Sequence, residues 1–195
     1  MISHSLKFVF IHVPKTGGSA IETALLPICE DKKFIKPRQD GTHLFQLRVA
    51  GQDALNKHST LSTYYDCYGD RISSYLKVAT LRNPFSELVS WYFSPHRRYT
   101  EWSPERFEKH ILERPVLEHY VLAPMKNAPL DHFMRFETLQ QDFEDLCGKI
   151  GWPATHLEQI NVGPEKSYRD YYTAKTRAMV EERFAFEIDL GGYEF

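Results

Sequence analysis

The sequence has 195 residues, of which 42% are hydrophobic, 14% aromatic and 26% charged. This composition is that of a globular protein and excludes a disordered or fibrous chain, and the length favours one domain over residues 1–195. A formal net charge of -2 argues against nucleic-acid binding through bulk positive charge. The apolar run 8–13 is too short to cross a membrane, and three scattered cysteines favour neither disulfides nor a thiolate metal site. We therefore expect a cytoplasmic protein that binds neither a membrane nor a nucleic acid.

The N-terminal segment predicts a strand, a glycine loop and a helix. Lys7–Val13 is apolar, β-branched and aromatic, which is typical of a buried strand, and Ala20–Leu26 has helical spacing. Glycines between them allow either an ordinary tight turn or a close approach of backbone N–H groups to a ligand, and a helix N-terminus favours an anion. A lysine and two hydroxyls at the same bend favour a phosphate site. Its candidate residues are Lys15, Thr16, Gly17, Gly18 and Ser19.

A second unit of the same kind follows an excursion over residues 30–57 that we expect to be irregular. Tyr75–Leu81 predicts a strand, residues 82–84 a turn, and Phe85–Phe93 a helix that a proline opens. Ligands of open α/β sheets bind at the carboxyl ends of the strands. Both special turns, 14–19 and 82–84, lie at such ends.

The remaining segments continue the alternation of strands and helices. His132–Phe136 predicts a third strand, and Leu139–Ile150 a helix with one apolar stripe that ends at Gly151. Two further helices are predicted over Ser103–Leu112 and Ala174–Phe186, the latter with Thr173 as its N-cap. Repeated strand–turn–helix units predict an α/β domain with a mostly parallel sheet and helices on both faces.

The order of residues in the first loop argues against a nucleotide kinase. The P-loop of kinases has the pattern G-x-x-x-x-G-K-[ST], in which the lysine follows the last glycine. Here Lys15 precedes both glycines, and the second strand is followed by Arg82 rather than by an acidic residue that could hold magnesium. We expect cations and hydroxyls, without a metal, to bind the phosphate.

Four segments resemble motifs of the PAPS-dependent sulfotransferase superfamily, in its carbohydrate-type branch that includes the heparan sulfate 2-O-sulfotransferases; PAPS is 3′-phosphoadenosine 5′-phosphosulfate. Phe10–Ser19 is similar to the 5′-phosphosulfate loop, Thr80–Tyr92 to the 3′-phosphate motif, Met134–Leu139 to a strand-to-helix element, and Gly192–Phe195 to the end of the domain. The resemblance implies a P-loop-NTPase-like, three-layer α/β/α fold with a central, mostly parallel sheet. It also implies PAPS as the sulfo donor and no metal.

The resemblance assigns roles to individual residues. Lys15 would stabilise the leaving phosphate, Arg82 and Ser90 would bind the 3′-phosphate, and His58, in a segment similar to the family's KH-x-(S/T), would be the general base. Lys166 and Ser167 resemble a late loop that contacts the 3′-phosphate or adenine side, and His96, next to Arg97 and Arg98, is the second candidate base. From the residues alone we expect His12 to be a buried strand residue, Glu137 to pair structurally, and Tyr64, Tyr65 and residues 168–172 to pack in the core.

The leading interpretation is therefore a sulfotransferase that moves a sulfo group from PAPS to a hydroxyl of a carbohydrate or a small molecule. The alternatives are a P-loop-type kinase that uses ATP, and a nucleotide- or glycan-binding protein without catalysis. Golgi members of the family carry a membrane anchor and luminal disulfides that this sequence does not show, so we expect a bacterial-type cytoplasmic enzyme or an excised domain. The sequence predicts neither the acceptor nor the oligomeric state.

Overall fold

A computed structural model describes residues 1–30, 32–37, 43–49, 52–94, 99, 101–122, 130–158 and 167–195. In chain order the strands are β1 (Ile2–Ser3), β2 (Phe8–Ile11), β3 (Lys32–Pro37), β4 (His43–Val49), β5 (Gln52–Asn56), β6 (Leu76–Leu81) and β7 (His132–Arg135). The α-helices are α1 (Gly18–Leu25), α2 (Leu61–Tyr68), α3 (Pro84–Tyr92), α4 (Pro104–Glu113), α5 (Leu117–Val121), α6 (Leu139–Ile150), α7 (Ala174–Arg183) and α8 (Ala185–Gly191).

The larger sheet has four strands in the order β1-β2-β6-β7. Strands β2, β6 and β7 are parallel, and β1 pairs antiparallel with β2. Parallel neighbours need a crossover between them, and the chain supplies helices there. The sheet order places the end of β2 beside the end of β6, so the two special turns lie side by side, as the sequence predicted.

Side chains of β2 alternate between two hydrophobic clusters, one on each face of the sheet. Val9 and Ile11 pack with residues of α2 and α5, whereas Phe8 and Phe10 pack with residues of α1 and α6. Both pairs are fully buried, which is why this strand is apolar throughout instead of alternating with polar residues. Helices therefore cover both faces of a mostly parallel sheet, and the expected α/β architecture is confirmed.

We expected residues 30–57 to be irregular, and this expectation is wrong. They contain a separate three-stranded antiparallel sheet in the order β3-β4-β5, with Lys32 paired to Arg48 and Pro37 to His43 at the two ends of the first hairpin. The expectation rested on Pro37 and Gly41, because proline and glycine are common in loops. Proline is tolerated on an edge strand, and β3 lies at the edge of this sheet.

The last predicted helix is two helices. Thr173 caps α7 as expected, through a capping box with Thr176, but the helix ends at Arg183 because Phe184 leaves helical geometry with φ -111° and ψ 27°. The Phe184 side chain packs into a third cluster with residues of α3 and α4, and α8 begins at the next residue. In the part of the chain that the structure describes, no helix has both the length and the apolar character that a membrane span requires.

Candidate active site

The loop between β2 and α1 has two residues in the left-handed region of backbone conformation. Lys15 has φ 67° and Gly17 has φ 84°. Gly17 is the N-cap of α1, so the helix begins at Gly18, earlier than the sequence predicted, and Ser19 lies in its first turn. The N–H groups of a first helical turn have no partner within the helix, and they are aligned with the positive end of the helix dipole. The loop therefore has the geometry of an anion site.

Close packing explains why both glycines are needed. A Cβ added to Gly17 would lie 2.7 Å from Leu139 Cδ2 and 3.0 Å from Phe136 Cδ2. A Cβ added to Gly18 would overlap the imidazole ring of His12. The loop is therefore clamped between the start of α6 on one side and His12 on the other, and its backbone conformation is fixed by its surroundings.

Side chains bind three successive carbonyl groups that precede the glycines. The Thr16 hydroxyl donates to the carbonyl of Val13 at 2.6 Å, and Arg114 Nη2 donates to the carbonyl of Pro14 at 3.3 Å. Arg82 Nη1 donates to the carbonyl of Lys15 at 3.0 Å. Carbonyl oxygens repel anions, so their engagement by these donors leaves the N–H groups as the polar groups that the loop presents.

The hydroxyl of Thr16 is directed inward rather than towards a ligand. Thr16 is buried, and its hydroxyl also pairs with that of Thr80 at the end of β6. Ser19 is half-buried in the first turn of α1, where its Oγ accepts a hydrogen bond from Lys57 Nζ at 2.7 Å. Of the two predicted hydroxyls, Ser19 is thus the one at the helix N-terminus, and Thr16 joins the two neighbouring strand ends.

His58 lies between β5 and α2, next to the same loop. Its Nδ1 is 3.0 Å from the carbonyl oxygen of His12, and its ring meets the His12 ring edge-on with the centroids 4.7 Å apart. Because a carbonyl oxygen can only accept, Nδ1 carries the proton, and Nε2 is the basic nitrogen of the neutral ring. His58 therefore has the tautomer that a general base acting through Nε2 requires.

His12 is buried as expected, but it lies just after β2 rather than within it. Its Nδ1 is 3.0 Å from Glu22 Oε1, and Lys57 Nζ is 3.4 Å from Glu22 Oε2. Burial lowers the pKa of His12, although Glu22 opposes this. Burial opposes ionisation of Glu22, but His12 and Lys57 outweigh it and lower the pKa of the carboxyl group. Glu22 is therefore ionised.

Arg82, in the second special turn, contacts the first. Besides the Lys15 carbonyl, its Nε and Nη2 donate to Ser86 Oγ at 3.0 and 2.7 Å, and its guanidinium lies 3.9 Å from the centroid of the Phe136 ring. Ser90 is half-buried one helical turn beyond Ser86 on the same face of α3. The structure thus brings Arg82 to the glycine loop and aligns Ser90 with it along the helix.

The other predicted residues are placed as follows. Glu137 pairs structurally, because its carboxylate accepts from Asn83 N and from the Tyr193 hydroxyl, each at 2.9 Å. Ser167 is exposed and caps a short 3₁₀ helix over Tyr168–Tyr171. Tyr64 and Tyr65 are buried in the cluster that packs against β2, and Tyr168, Tyr171 and Tyr172 pack against the third cluster. Lys166, His96, Arg97 and Arg98 lie outside the described residues.

Sequence reasoning missed Glu22, Lys57, Arg114 and Glu87, which surround the loop. Arg114 and Glu87 form a buried ion pair that also includes the Tyr120 hydroxyl, 3.3 Å from Arg114 Nη1. Glu22 had a usable signal, since it is a charged residue on the apolar face of α1, next to Ile21 and one turn before Leu25. A charged residue on a buried face needs a partner. Among the described residues, no group of three or more histidine, cysteine or acidic side chains is arranged to hold a metal ion.

The chain matches a protein-family model described as "Sulfotransferase family" over residues 1–192. Comparison with curated proteins and with solved structures found no match. The matched span includes the glycine loop, the Arg82 turn and the His58 segment.

Proposed function

Because the chain belongs to the sulfotransferase family, we propose that it transfers a sulfo group from PAPS to a hydroxyl group of a carbohydrate or a small molecule. In this proposal Lys15 stabilises the leaving phosphate, and His58 is the general base. The loop 14–19 binds the 5′-phosphosulfate, and Arg82 and Ser90 bind the 3′-phosphate. We also propose that the domain has a P-loop-NTPase-like, three-layer α/β/α fold. That the protein works in the cytoplasm, and that Lys166 and Ser167 contact the nucleotide, stay predictions.

The geometry of the loop 14–19 is the main support for PAPS as the donor. Its three preceding carbonyls are engaged by Thr16, Arg114 and Arg82, and neither glycine position has room for a side chain. Such a loop can bring N–H groups within contact distance of phosphate oxygens, and Lys15 adds a full positive charge next to them. A preorganised cation of this kind stabilises the negative charge that develops on the oxygen between sulfur and phosphorus.

The contact between His58 and His12 supports the role of the base. His58 would take the proton of the acceptor hydroxyl at Nε2 while its Nδ1–H continues to donate a hydrogen bond to the His12 carbonyl. The acceptor oxygen forms a bond to sulfur, and the bond from sulfur to the 5′-phosphate oxygen breaks with its electrons on that oxygen, next to Lys15. The products are the sulfated acceptor, 3′-phosphoadenosine 5′-phosphate (PAP), and a proton that His58 then releases to water.

Thermal unfolding with PAP, and separately with ATP and magnesium, tests the donor. A ligand at 100 times its Kd stabilises the folded state by about 2.7 kcal/mol, which is readily measured. We expect PAP to raise the Tm of the wild type, and Arg82→Ala to remove the shift. Arg177→Ala removes a charge of the same kind from an exposed ion pair with Glu181, and this control should respond to PAP as the wild type does. If ATP with magnesium raises the Tm and PAP does not, the proposal is wrong and a kinase is the better interpretation.

Transfer of labelled sulfate from PAPS to a panel of sugars and small alcohols tests the catalytic step. We expect His58→Ala to abolish turnover while PAP still raises the Tm. If the wild type binds PAP but sulfates no acceptor, and His58→Ala changes nothing, the protein is a binding protein without catalysis. Normal turnover by His58→Ala would assign the base to another residue, of which His96 is the first to examine.

A further inference from the structure

Lys57 is an internal lysine that touches the helix end of the loop. The residue is only 7% exposed, and its Nζ lies 2.7 Å from Ser19 Oγ and 3.4 Å from Glu22 Oε2. The next residue along the chain is His58. A buried lysine thus connects the predicted anion loop with the predicted base.

Glu22 is a buried carboxylate next to this lysine. A carboxylate that is 1% exposed is costly to bury unless cations and hydrogen-bond donors surround it, and Glu22 has Lys57 on one oxygen and His12 on the other. Lys57 is thus the lysine that faces this buried carboxylate, at 3.4 Å from Oε2. The side chain of Lys57 is directed by Glu22 to the point where it meets Ser19.

Stability alone is a weak explanation for this pair. Replacing a buried ion pair by apolar residues of similar volume is often neutral or stabilising, so the fold does not require charges at this place. The position of Lys57 next to Ser19 is a better explanation for the two charges. An anion oxygen that accepts a hydrogen bond of about 2.8 Å from Ser19 Oγ lies within about 5.5 Å of Lys57 Nζ, given the 2.7 Å between Nζ and Oγ. A small rotation of the flexible lysine end would bring it into direct contact.

We propose that Lys57 is a second cation of the donor site, which binds the 5′-phosphosulfate end from the side of Ser19, and that Glu22 is its positioning residue. This rests on the proposed function, because it assigns a further residue to the same donor site. Lys15 and Lys57 would then reach the 5′ group from two different segments, the loop after β2 and the turn after β5.

Two ligands separate this role from a structural one. PAP carries both a 5′-phosphate and a 3′-phosphate, whereas adenosine 3′-monophosphate lacks the 5′-phosphate. Their Kd values are measured by calorimetry for the wild type and for the double variant Glu22→Gln/Lys57→Met, which removes both charges and so leaves no unpaired carboxylate in the core. The control is Glu113→Gln/Lys109→Met, which removes an exposed ion pair of the same composition.

We expect the double variant to bind PAP about tenfold or more weakly, since a charged hydrogen bond is lost, while adenosine 3′-monophosphate and the control change by less than about threefold. The proposal is overturned if the double variant binds PAP as the wild type does, or if both ligands weaken equally. Failure of the wild type to bind PAP would overturn the proposed function itself. Should the double variant not fold, Lys57→Gln is measured in its place, since it keeps donors to Ser19 and Glu22 but carries no charge. It has the same expected and contrary results.

Discussion

Glu187 gives the chain a dependence of stability on pH that one substitution should remove. The residue is 4% exposed, its Oε1 accepts a hydrogen bond from Leu117 N, and it lines a small cavity next to Glu87 and Arg114. Burial is the main reason why the pKa of Glu187 is raised to about 7. The nearby carboxylates of Glu118 and Glu87 add to the effect, and the Leu117 N–H opposes it.

The magnitude follows from the linkage between protonation and folding. The folded protein binds a proton at Glu187 more tightly than the unfolded chain does, so the stabilisation is complete below pH 4.5 and is lost as the pH rises through 7. At 1.36 kcal/mol per pKa unit, the difference between the ordinary value of 4.5 and about 7 corresponds to about 3 kcal/mol. Glu187→Gln keeps an acceptor for Leu117 N and cannot ionise, so it should equal the wild type at low pH and exceed its stability by about that amount above pH 8.

Urea unfolding between pH 4 and about pH 9 measures this difference directly. The matched control is Glu181→Gln, which removes an exposed carboxylate from α7 and should leave the pH dependence of the wild type unchanged. If the free energies of unfolding of Glu187→Gln and the wild type differ by a constant amount over the whole range, Glu187 does not have a raised pKa, and the argument from its burial is wrong.

Three substitutions test the packing around the loop. Gly18→Ala should destabilise the protein by about 1–3 kcal/mol, because the new methyl group overlaps His12; unfolding as stable as that of the wild type would contradict the clamped loop. Gly148→Ala, in open space within α6, should instead stabilise by about 0.5–1 kcal/mol, and a loss of stability there would count against the exposed helical position. Arg114→Met leaves Glu87 buried without its cation and should cost about 3–5 kcal/mol in urea unfolding, whereas a cost under about 1 kcal/mol would show that the pair is not desolvated.

Segments that carry their own periodicity were predictable. Leu139–Ile150 has an apolar stripe and a following glycine, and the structure has α6 with those same bounds. The antiparallel sheet β3-β4-β5 was missed although residues 45–49 alternate between apolar and polar side chains, which is the pattern of a strand; the pairing of its three strands with one another is not encoded in so short a stretch. The break at Phe184 was missed because its side chain packs with residues of α3 and α4, which are far away in the sequence.

Only some residues of the candidate site were predictable from local sequence. Loop residues such as Lys15 and Gly17 were predictable because a glycine loop between a strand and a helix has a chemical meaning within a few residues of sequence. Lys57 and Arg114 could not be found in this way, because each acts through a partner far away in the chain. Lys57 meets a carboxylate of α1, and Arg114 meets the Pro14 carbonyl 100 residues before it.

Arg82 shows how one side chain can connect the two predicted phosphate sites. Its bonds to the Lys15 carbonyl and to Ser86 Oγ engage Nε, Nη1 and Nη2 once each, whereas a guanidinium carries five N–H donors. One N–H on each Nη is therefore available for a phosphate without loss of the bond to the loop. A lysine would keep the charge but has no planar fork with which to bind both groups. The requirement for arginine at this strand end thus follows from the position of the loop carbonyl as much as from the charge of the donor.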